Sequence, residues 1–303
     1  MAFSHLYSSV TRGKWFILPT EVDANQLLIN SLLTHDAEQD MNGKLSERSP
    51  LEAVIASGKE MRSATNFSDA PANSTAIIAL HGTMLKYGTY CSYGCVEVAE
   101  MIEDAANSPK ISGIILDIDS GGGAVDAIAP ILSAIKSAQD KGKPVVASCD
   151  LCASAAYYVA VHCNEIIAAN TISAEFGSIG VMMSFMDYEK YYEAAGVKVH
   201  TVYSNHSEYK NAAFEAAKKG DYEKLKDEEL DPIALQFQSA VKSGRGDKLD
   251  LKVEGIISGR MFYAEHAKKN GLIDSIGSRD FALQRVNEIR RDAVVDNYIN
   301  SKS

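Results

Sequence analysis

Long apolar runs and basic charge are scarce in this sequence. Near the N-terminus the apolar run covers only residues 15–18, whereas a membrane-spanning helix needs roughly 20 apolar residues. We therefore expect no membrane insertion, and because no secretory hydrophobic region is visible, we expect a cytoplasmic protein. The 30 basic residues are outnumbered by 40 acidic ones, which gives a net charge of −10. A nucleic-acid partner is not expected, since phosphate binding needs a clustered basic surface.

Cysteines are also few, and their number is odd. Cys91, Cys95, Cys149, Cys152 and Cys163 cannot all pair, and a chain of this length can build a core without disulfides. Cys91 lies close to Cys95 in the sequence, and Cys149 lies close to Cys152. These short spacings are compatible with a zinc site of four thiolates. Small buried thiols are the simpler interpretation, because Cys149 ends an apolar, strand-like run. We expect reduced thiols and no metal site.

The sequence changes character near residue 64. Residues 1–63 predict a helical extension, with helix-like apolar spacing at Leu27, Leu28, Leu32 and Leu33 and again at Leu51, Val54 and Ile55. Residues 64–75 are small and polar and include a proline, which predicts a linker. From residue 76 short apolar runs alternate with helical segments, which predicts an α/β domain over 76–293 and a tail over 294–303.

Within this domain, apolar runs and helical periodicity predict individual elements. Strands are predicted at residues 76–80, 113–118, 144–148, 165–169, 179–183 and 197–202. Helices are predicted at residues 96–106, 124–140, 154–162, 188–195, 222–243, 264–270 and 280–293.

A glycine-rich turn follows the second predicted strand of the domain. Residues 114–125, IILDIDSGGGAV, are an apolar strand, three glycines and the start of a helix. Such a turn exposes backbone N–H groups that can hold an oxyanion or a phosphate. A dinucleotide site is excluded because the GxGxxG spacing is absent.

The next strand leads to a candidate nucleophile. In residues 145–160, VVASCDLCASAAYYVA, Ser154 lies among small residues at the start of a predicted helix. Its hydroxyl would lie near the positive end of that helix, and the small neighbours would let a substrate backbone approach. A structural N-cap is the alternative role for this serine.

Two further polar positions follow in the chain. Ser178 lies between glycines in FGSIGVMM, and Lys210 ends the segment NHSEYK. A lysine that is shielded from water can lose its proton and act as a general base, as in Ser–Lys hydrolases. Position alone leaves other lysines open for this role, namely Lys218, Lys219, Lys224 and Lys226.

Five segments, in order, resemble the signal peptide peptidase A family of Ser–Lys peptidases, and in particular its short relatives from phage and prophage head-assembly regions. The segments are IDSGGGAVDA, ASAAYYVA, ISAEFGSIGV, FQSAVKSGRG and ISGRMFYAEHAKKNGLIDSIGS. The resemblance runs from residue 76 to about residue 286. It implies a crotonase- and Clp-protease-like α/β spiral of ββα units, preceded here by the mainly helical appendage.

The resemblance also implies roles for individual residues. Ser154 would attack the scissile carbonyl, Lys210 would accept its proton, and Ser178 would orient that lysine. The backbone N–H groups of Gly122 and Ala155 would form the oxyanion hole.

The same resemblance implies that Gly123 permits the tight turn and that no metal or organic cofactor takes part. The implied substrate is a polypeptide. The implied assembly is a homo-oligomer in which the lysine of one copy completes the site of its neighbour. Without a membrane anchor, a head-maturation peptidase in the cytoplasm of a bacterial host fits best, with capsid or scaffold proteins as partners. A cytoplasmic enzyme that degrades signal peptides or other peptides is the second choice.

The residues of the chain also allow three other mechanisms or functions. A Ser–His–Asp triad would use His206 as the base, since no histidine lies between residues 163 and 199. Acyl-CoA chemistry of the crotonase type would use carboxylates such as Asp126 and Glu175, but no basic cluster for CoA phosphates is visible. An inactive assembly scaffold would use the helix at 222–243 as a contact surface.

Overall fold

The computed structural model describes residues 14–17, 51–58, 60–88, 92–185 and 187–300. Its strands are β1 (Lys14–Ile17), β2 (Ala53–Ser57), β3 (Glu60–Ala64), β4 (Ser74–His81), β5 (Ile111–Ser120), β6 (Gly122–Ala124), β7 (Val145–Ala153), β8 (Glu165–Ala168), β9 (Glu175–Gly177), β10 (Met182–Met183), β11 (Met261–Tyr263) and β12 (Ser275–Ile276). Its helices are α1 (Cys95–Asn107), α2 (Ile128–Asp140), α3 (Ala155–Ala160), α4 (Glu189–Ala194), α5 (Ala212–Lys218), α6 (Glu223–Leu225), α7 (Asp231–Arg245), α8 (Ala264–Lys269) and α9 (Arg279–Asn300).

The main sheet has a parallel centre and antiparallel edges. Among the described strands its order is β11-β9-β7-β5-β4-β2-β3, and β8 and β12 extend it beside β7. Strands β4, β5 and β7 are parallel, whereas β2 and β11 run antiparallel to their neighbours. The long strand β7 pairs with β8 along its first half and with β9 along its second half. The sheet therefore forks at the end of β7 that leads to Ser154.

Helices cover both faces of this sheet. Ile78 and Ile114 pack on one face in a cluster that includes residues of α1, α2 and α3. The neighbouring residues Ile77 and Ile115 pack on the other face against Val286 of α9. Because successive side chains of a strand point to opposite faces, strands buried on both sides appear in the sequence as continuous apolar runs. This arrangement confirms the predicted α/β class and the central strands.

Two predicted elements are wrong. The helix predicted around Leu51, Val54 and Ile55 is instead the hairpin of β2 and β3, and β2 also pairs with β4 of the main sheet. Residues 64–75 consequently connect β3 to β4, two strands of one sheet that lie on either side of β2. No strand forms at 197–202, where Val199 and Val202 are exposed. The helix predicted around residues 27–33 lies outside the described residues.

The predicted helices of the α/β domain are otherwise present, and α9 extends to Asn300, beyond the predicted end at residue 293. Of the residues predicted as a strand at 179–183, only Met182 and Met183 form one. No helix in the described ranges is both long enough and apolar enough to span a membrane.

Candidate active site

Three chain segments meet at the carboxyl ends of neighbouring strands. Strand β5 leads into the glycine turn, β7 into Ser154 and β9 into Ser178. The register pairs Ser120 with Cys152 and Ala153 with Gly177, so the residues that follow leave the sheet at the same level. In open α/β sheets this edge is where ligands bind. The topology therefore brings the glycine turn and both candidate serines together.

Ser154 has an unusual backbone conformation at the start of α3. Its φ and ψ are 54° and −117°, and only 1% of its surface is exposed. Its N–H donates to the carbonyl oxygen of Gly177 at 2.9 Å, which holds this conformation in place. The hydroxyl makes no capping hydrogen bond to the helix, so the N-cap role is not the one that the structure supports. Residues in such sparsely populated conformations cluster at functional sites.

The two predicted oxyanion donors differ in their hydrogen bonding. Ala155 is the first residue of α3, and its N–H therefore has no acceptor within the helix. The N–H of Gly122 instead donates to the Ser120 hydroxyl oxygen at 3.1 Å. The Ser120 hydroxyl in turn donates to the carbonyl oxygen of Gly82 at 2.5 Å. A substrate oxyanion at Gly122 would have to compete with Ser120, a residue that the sequence did not single out.

Gly123 is required for a reason different from the predicted one. The positive φ in the turn, 101°, belongs to Gly122. A Cβ atom on Gly123 would lie 2.0 Å from the carbonyl oxygen of Met84, because the two backbones run side by side. Gly123 thus permits the close approach of two chain segments rather than the turn itself.

Ser178 lies directly beside the Ser154 segment. It also has a positive φ of 54°, it is half-buried, and its N–H donates to the carbonyl oxygen of Arg260 at 3.2 Å. Gly177, which precedes it, accepts the hydrogen bond from Ser154. Both serines are therefore positioned by the same short segment.

Lys210 is not part of this cluster within one copy of the chain. It is exposed and lies in a turn in which its N–H donates to the Ser207 carbonyl oxygen at 3.0 Å. Among the described residues, no hydrogen bond links its amine to Ser154 or Ser178. Its role as general base stays a prediction, as does the role of Ser178.

The groups named in the alternative mechanisms have other surroundings. His206 is exposed, and its backbone N–H donates to Ser204. The carboxylate of Glu175 accepts a hydrogen bond from Tyr263 on the adjacent strand, and this contact raises the pKa of Tyr263. Cys149 is fully buried, and burial raises the pKa of its thiol. The described part of the chain holds no cluster of three or more metal-ligand side chains.

Replacing Gly177 with alanine is expected to disrupt the site. The new Cβ would lie 2.3 Å from the Arg260 carbonyl oxygen, at a φ of 129° that side chains rarely adopt. We expect the free energy of unfolding to fall by about 1–3 kcal/mol, as measured by denaturant unfolding. Gly180→Ala is the matched control, because a Cβ there meets nothing within 4 Å. Equal stability of the two variants would contradict this geometry.

A contact that the sequence did not indicate anchors the helix of Ser154. The Tyr157 hydroxyl is buried and donates to the Leu272 carbonyl oxygen at 2.7 Å. The adjacent Gly271 carbonyl accepts a hydrogen bond from Arg245, whose guanidinium also pairs with Asp274. Tyr157 and Leu272 are 115 residues apart in the chain, so no local pattern reveals their contact.

Comparisons with known proteins show the family of this chain. The model of peptidase family S49 matches residues 137–293. The chain is 27% identical over 195 residues to "Protease 4" of Salmonella typhi, covering 64% of this chain and 31% of that protein. It is 30% identical over 140 residues to "Capsid assembly protease C" of Escherichia phage lambda, covering 44% of this chain and 31% of that protein.

The chain thus spans about a third of the length of either relative. Among solved structures it resembles the 1510-N membrane-bound stomatin-specific protease, with 16% identity, a TM-score of 0.42, and 72% of this chain and 80% of that chain covered.

Proposed function

This chain belongs to peptidase family S49, and we propose that it hydrolyses peptide bonds through an acyl-enzyme formed on Ser154. The observation that carries this proposal is the placement of Ser154. It is held at a positive φ at the start of α3, between the glycine turn and the segment of Gly177 and Ser178. The family match confirms the resemblance predicted from the sequence.

The proposed reaction has two stages. The Ser154 oxygen attacks the scissile carbonyl while its proton passes to the amine of Lys210, and the developing oxyanion accepts hydrogen bonds from the N–H groups of Ala155 and Gly122. The lysine then protonates the leaving amine, and the same lysine deprotonates the water that hydrolyses the ester. Loss of one oxyanion donor typically raises the barrier by about 3 kcal/mol. Ser178 would orient the lysine.

We propose that the lysine reaches the site from a neighbouring copy of the chain. Lys210 is exposed, and among the described residues no hydrogen bond joins it to Ser154 within one copy. The region around it also exposes large apolar side chains, notably Tyr191 at 69%, Val199 at 71% and Tyr209 at 76%. Exposed apolar surface of this kind favours a protein–protein contact. A lysine covered by a second copy and by substrate would give up its proton more readily.

Mixing two inactive variants tests this arrangement. Ser154→Ala keeps the lysine and Lys210→Ala keeps the nucleophile. After the two are unfolded and refolded together in equal amounts, random assembly pairs a lysine with a serine at about a quarter of the sites, and about that fraction of activity should return. Each variant alone should stay inactive. If the mixture also stays inactive while a wild-type sample treated in the same way recovers, the lysine acts within one copy or is not the base.

For the substrate, we propose capsid or scaffold proteins of a phage or prophage. The support is the likeness to "Capsid assembly protease C" of phage lambda and, at 30% identity over 150 residues, to "Head-tail preconnector protein GP5" of Enterobacteria phage P21. The test is co-expression of this chain with the capsid and scaffold proteins of a phage or prophage. We expect the wild type to cut the capsid or scaffold proteins into defined fragments and Ser154→Ala to leave them intact. Intact proteins in both would contradict this substrate.

A general substrate tests the peptidase activity separately from the biological role. The wild-type protein should cleave unfolded casein, and a serine-directed phosphonate should stop the cleavage. Casein cleavage without capsid cleavage would favour a peptide-degrading role. A correctly assembled wild type that leaves casein intact would favour an assembly scaffold instead.

A further inference from the structure

A short second sheet lies against the candidate active site. Its central strand is β1 (Lys14–Ile17), which runs antiparallel to β6 on one side and to β10 on the other. Strand β6 is part of the glycine turn, and β10 follows Ser178 within the same segment. Both outer strands therefore belong to the chain segments that carry the candidate catalytic groups.

The register places β1 opposite the candidate oxyanion segment. Ile17 pairs with Gly122 and Phe16 pairs with Gly123, while Trp15 lies opposite Met182 on the other side. The backbone of β1 is thus aligned with the residue whose N–H is predicted to hold the carbonyl oxygen of a substrate.

Without β1, the two outer strands would border an empty slot. Among the described strands, β6 and β10 do not pair with each other, and β1 pairs with no strand of the main sheet. Adjacent strands lie about 4.8 Å apart, so the slot is roughly 9–10 Å wide, which is the space that one extended chain fills. A polypeptide bound there would gain main-chain hydrogen bonds on both of its edges, as in strand addition.

Ser154 is buried while β1 is in place. Only 1% of its surface is exposed, and its helix α3 packs against β6, the partner of β1. A substrate carbonyl cannot reach a hydroxyl that is buried to this extent. Either β1 leaves the slot before the substrate binds, or β1 is itself the first polypeptide bound there.

We propose that residues 14–17 are an autoinhibitory strand that occupies the binding slot for the substrate polypeptide. This inference rests on the proposed peptidase function and adds the regulation of that site. Because β1 is tethered to the enzyme, it competes at an effective concentration on the order of millimolar, so four residues suffice to exclude a dilute substrate. The apparent rate of substrate turnover is the rate with a free slot multiplied by the fraction of molecules in which the slot is free.

Phe16→Pro tests the inference, with Phe16→Ala as the matched control. Proline removes a backbone N–H and fits poorly in the middle of a paired strand, whereas alanine keeps the N–H. We expect Phe16→Pro to react with a small serine-directed phosphonate roughly tenfold faster at Ser154 than the wild type, and Phe16→Ala to change the rate much less. A synthetic peptide of residues 11–20 should slow the reaction of Phe16→Pro again.

Hydrogen exchange shows directly whether the slot has opened. Faster exchange at Gly123, which pairs with Phe16, and at Met182–Met183 in Phe16→Pro, together with faster labelling, is the expected result. Where the wild type is labelled at a measurable rate, faster exchange in Phe16→Pro without faster labelling would overturn the autoinhibitory role, and so would unchanged exchange. If no variant is labelled but exchange still increases, β1 occupies the slot and the proposed peptidase function is what fails. Ile17→Pro replaces Phe16→Pro if the latter does not fold.

Discussion

Replacing Ser154 with alanine is expected to lower kcat/KM for casein-derived peptides by roughly 10,000-fold or more. Loss of the nucleophile removes the acyl-enzyme route, and the remaining oxyanion donors supply only residual catalysis. Stability should change little, because alanine carries the same Cβ at the φ of 54° that serine adopts here. The measurement is steady-state cleavage of a fluorogenic peptide by the assembled protein.

The matched control for this variant is Ser133→Ala. Ser133 is exposed on α2, away from the carboxyl ends of the strands, so its activity should stay within about twofold of the wild type. Ser154→Ala with more than a tenth of wild-type activity would show that another group is the nucleophile. Unfolding curves of both variants separate a loss of catalysis from a loss of structure.

Breaking the ion pair between Arg245 and Asp274 is expected to destabilise the fold strongly. Both guanidinium Nη atoms lie 2.9 Å from the carboxylate oxygens, and the Arg245 side chain is 5% exposed. Arg245→Met removes the buried partner of Asp274 and leaves its charge to the exposed Lys248 and the Ile166 N–H, so it should cost about 3 kcal/mol in denaturant unfolding. Lys248→Met is the control, because Lys248 binds the same carboxylate but is 67% exposed. It should cost about 1 kcal/mol or less.

The same pair gives a pH dependence with a definite sign. Burial opposes ionisation of Asp274, but hydrogen bonds from Arg245 and Lys248 outweigh it and lower the pKa of Asp274 from 3.8 to about 2. The ionised carboxylate therefore stabilises the folded state fully above about pH 4, and this contribution is lost as the pH falls through 2. Allowing for solvent screening, it amounts to roughly 1–2 kcal/mol.

Arg245→Met should consequently lose less stability than the wild type between pH 4 and pH 2. The unfolding midpoint measured at several pH values within this window gives the comparison. Parallel pH profiles for the two proteins would contradict the assignment of the shifted carboxyl to this pair.

The parts of the fold that the sequence predicted are those in which local pattern and tertiary environment agree. Strands β4 and β5 are buried on both faces, so their apolar runs identify them without reference to the rest of the chain. The strand predicted at 144–148 is the first part of β7, which leads to Ser154, but β9 was not predicted, because the expected strand was placed after Ser178, at 179–183. The family resemblance then adds the order and spacing of the motifs.

Elements that depend on distant partners could not be predicted in this way. Leu51, Val54 and Ile55 fit helical spacing, yet Ala53–Ser57 lies between β3 and β4 and pairs with both. Residues 197–202 alternate as a strand would, but no described strand lies beside them to pair with. Propensity is weak compared with such tertiary pairing.

The site was predictable in part. A strand that leads toward Ser154 was predicted, whereas the position of Ser154 beside Ser178 comes from the pairing of β7 with the unpredicted strand β9. The hydrogen bond from Gly122 to Ser120 and the strand at Lys14–Ile17 arise only from three-dimensional packing. Lys210 is exposed and has no hydrogen bond to either serine among the described residues, so its role stays a prediction.

Mapping the adduct of a serine-directed phosphonate by mass spectrometry tests the central claim most directly. The account predicts a single adduct on Ser154 of the assembled wild-type protein, formed in step with the loss of casein cleavage and absent from Ser154→Ala. An adduct on another residue, or casein cleavage that continues without any adduct, would contradict Ser154 as the nucleophile.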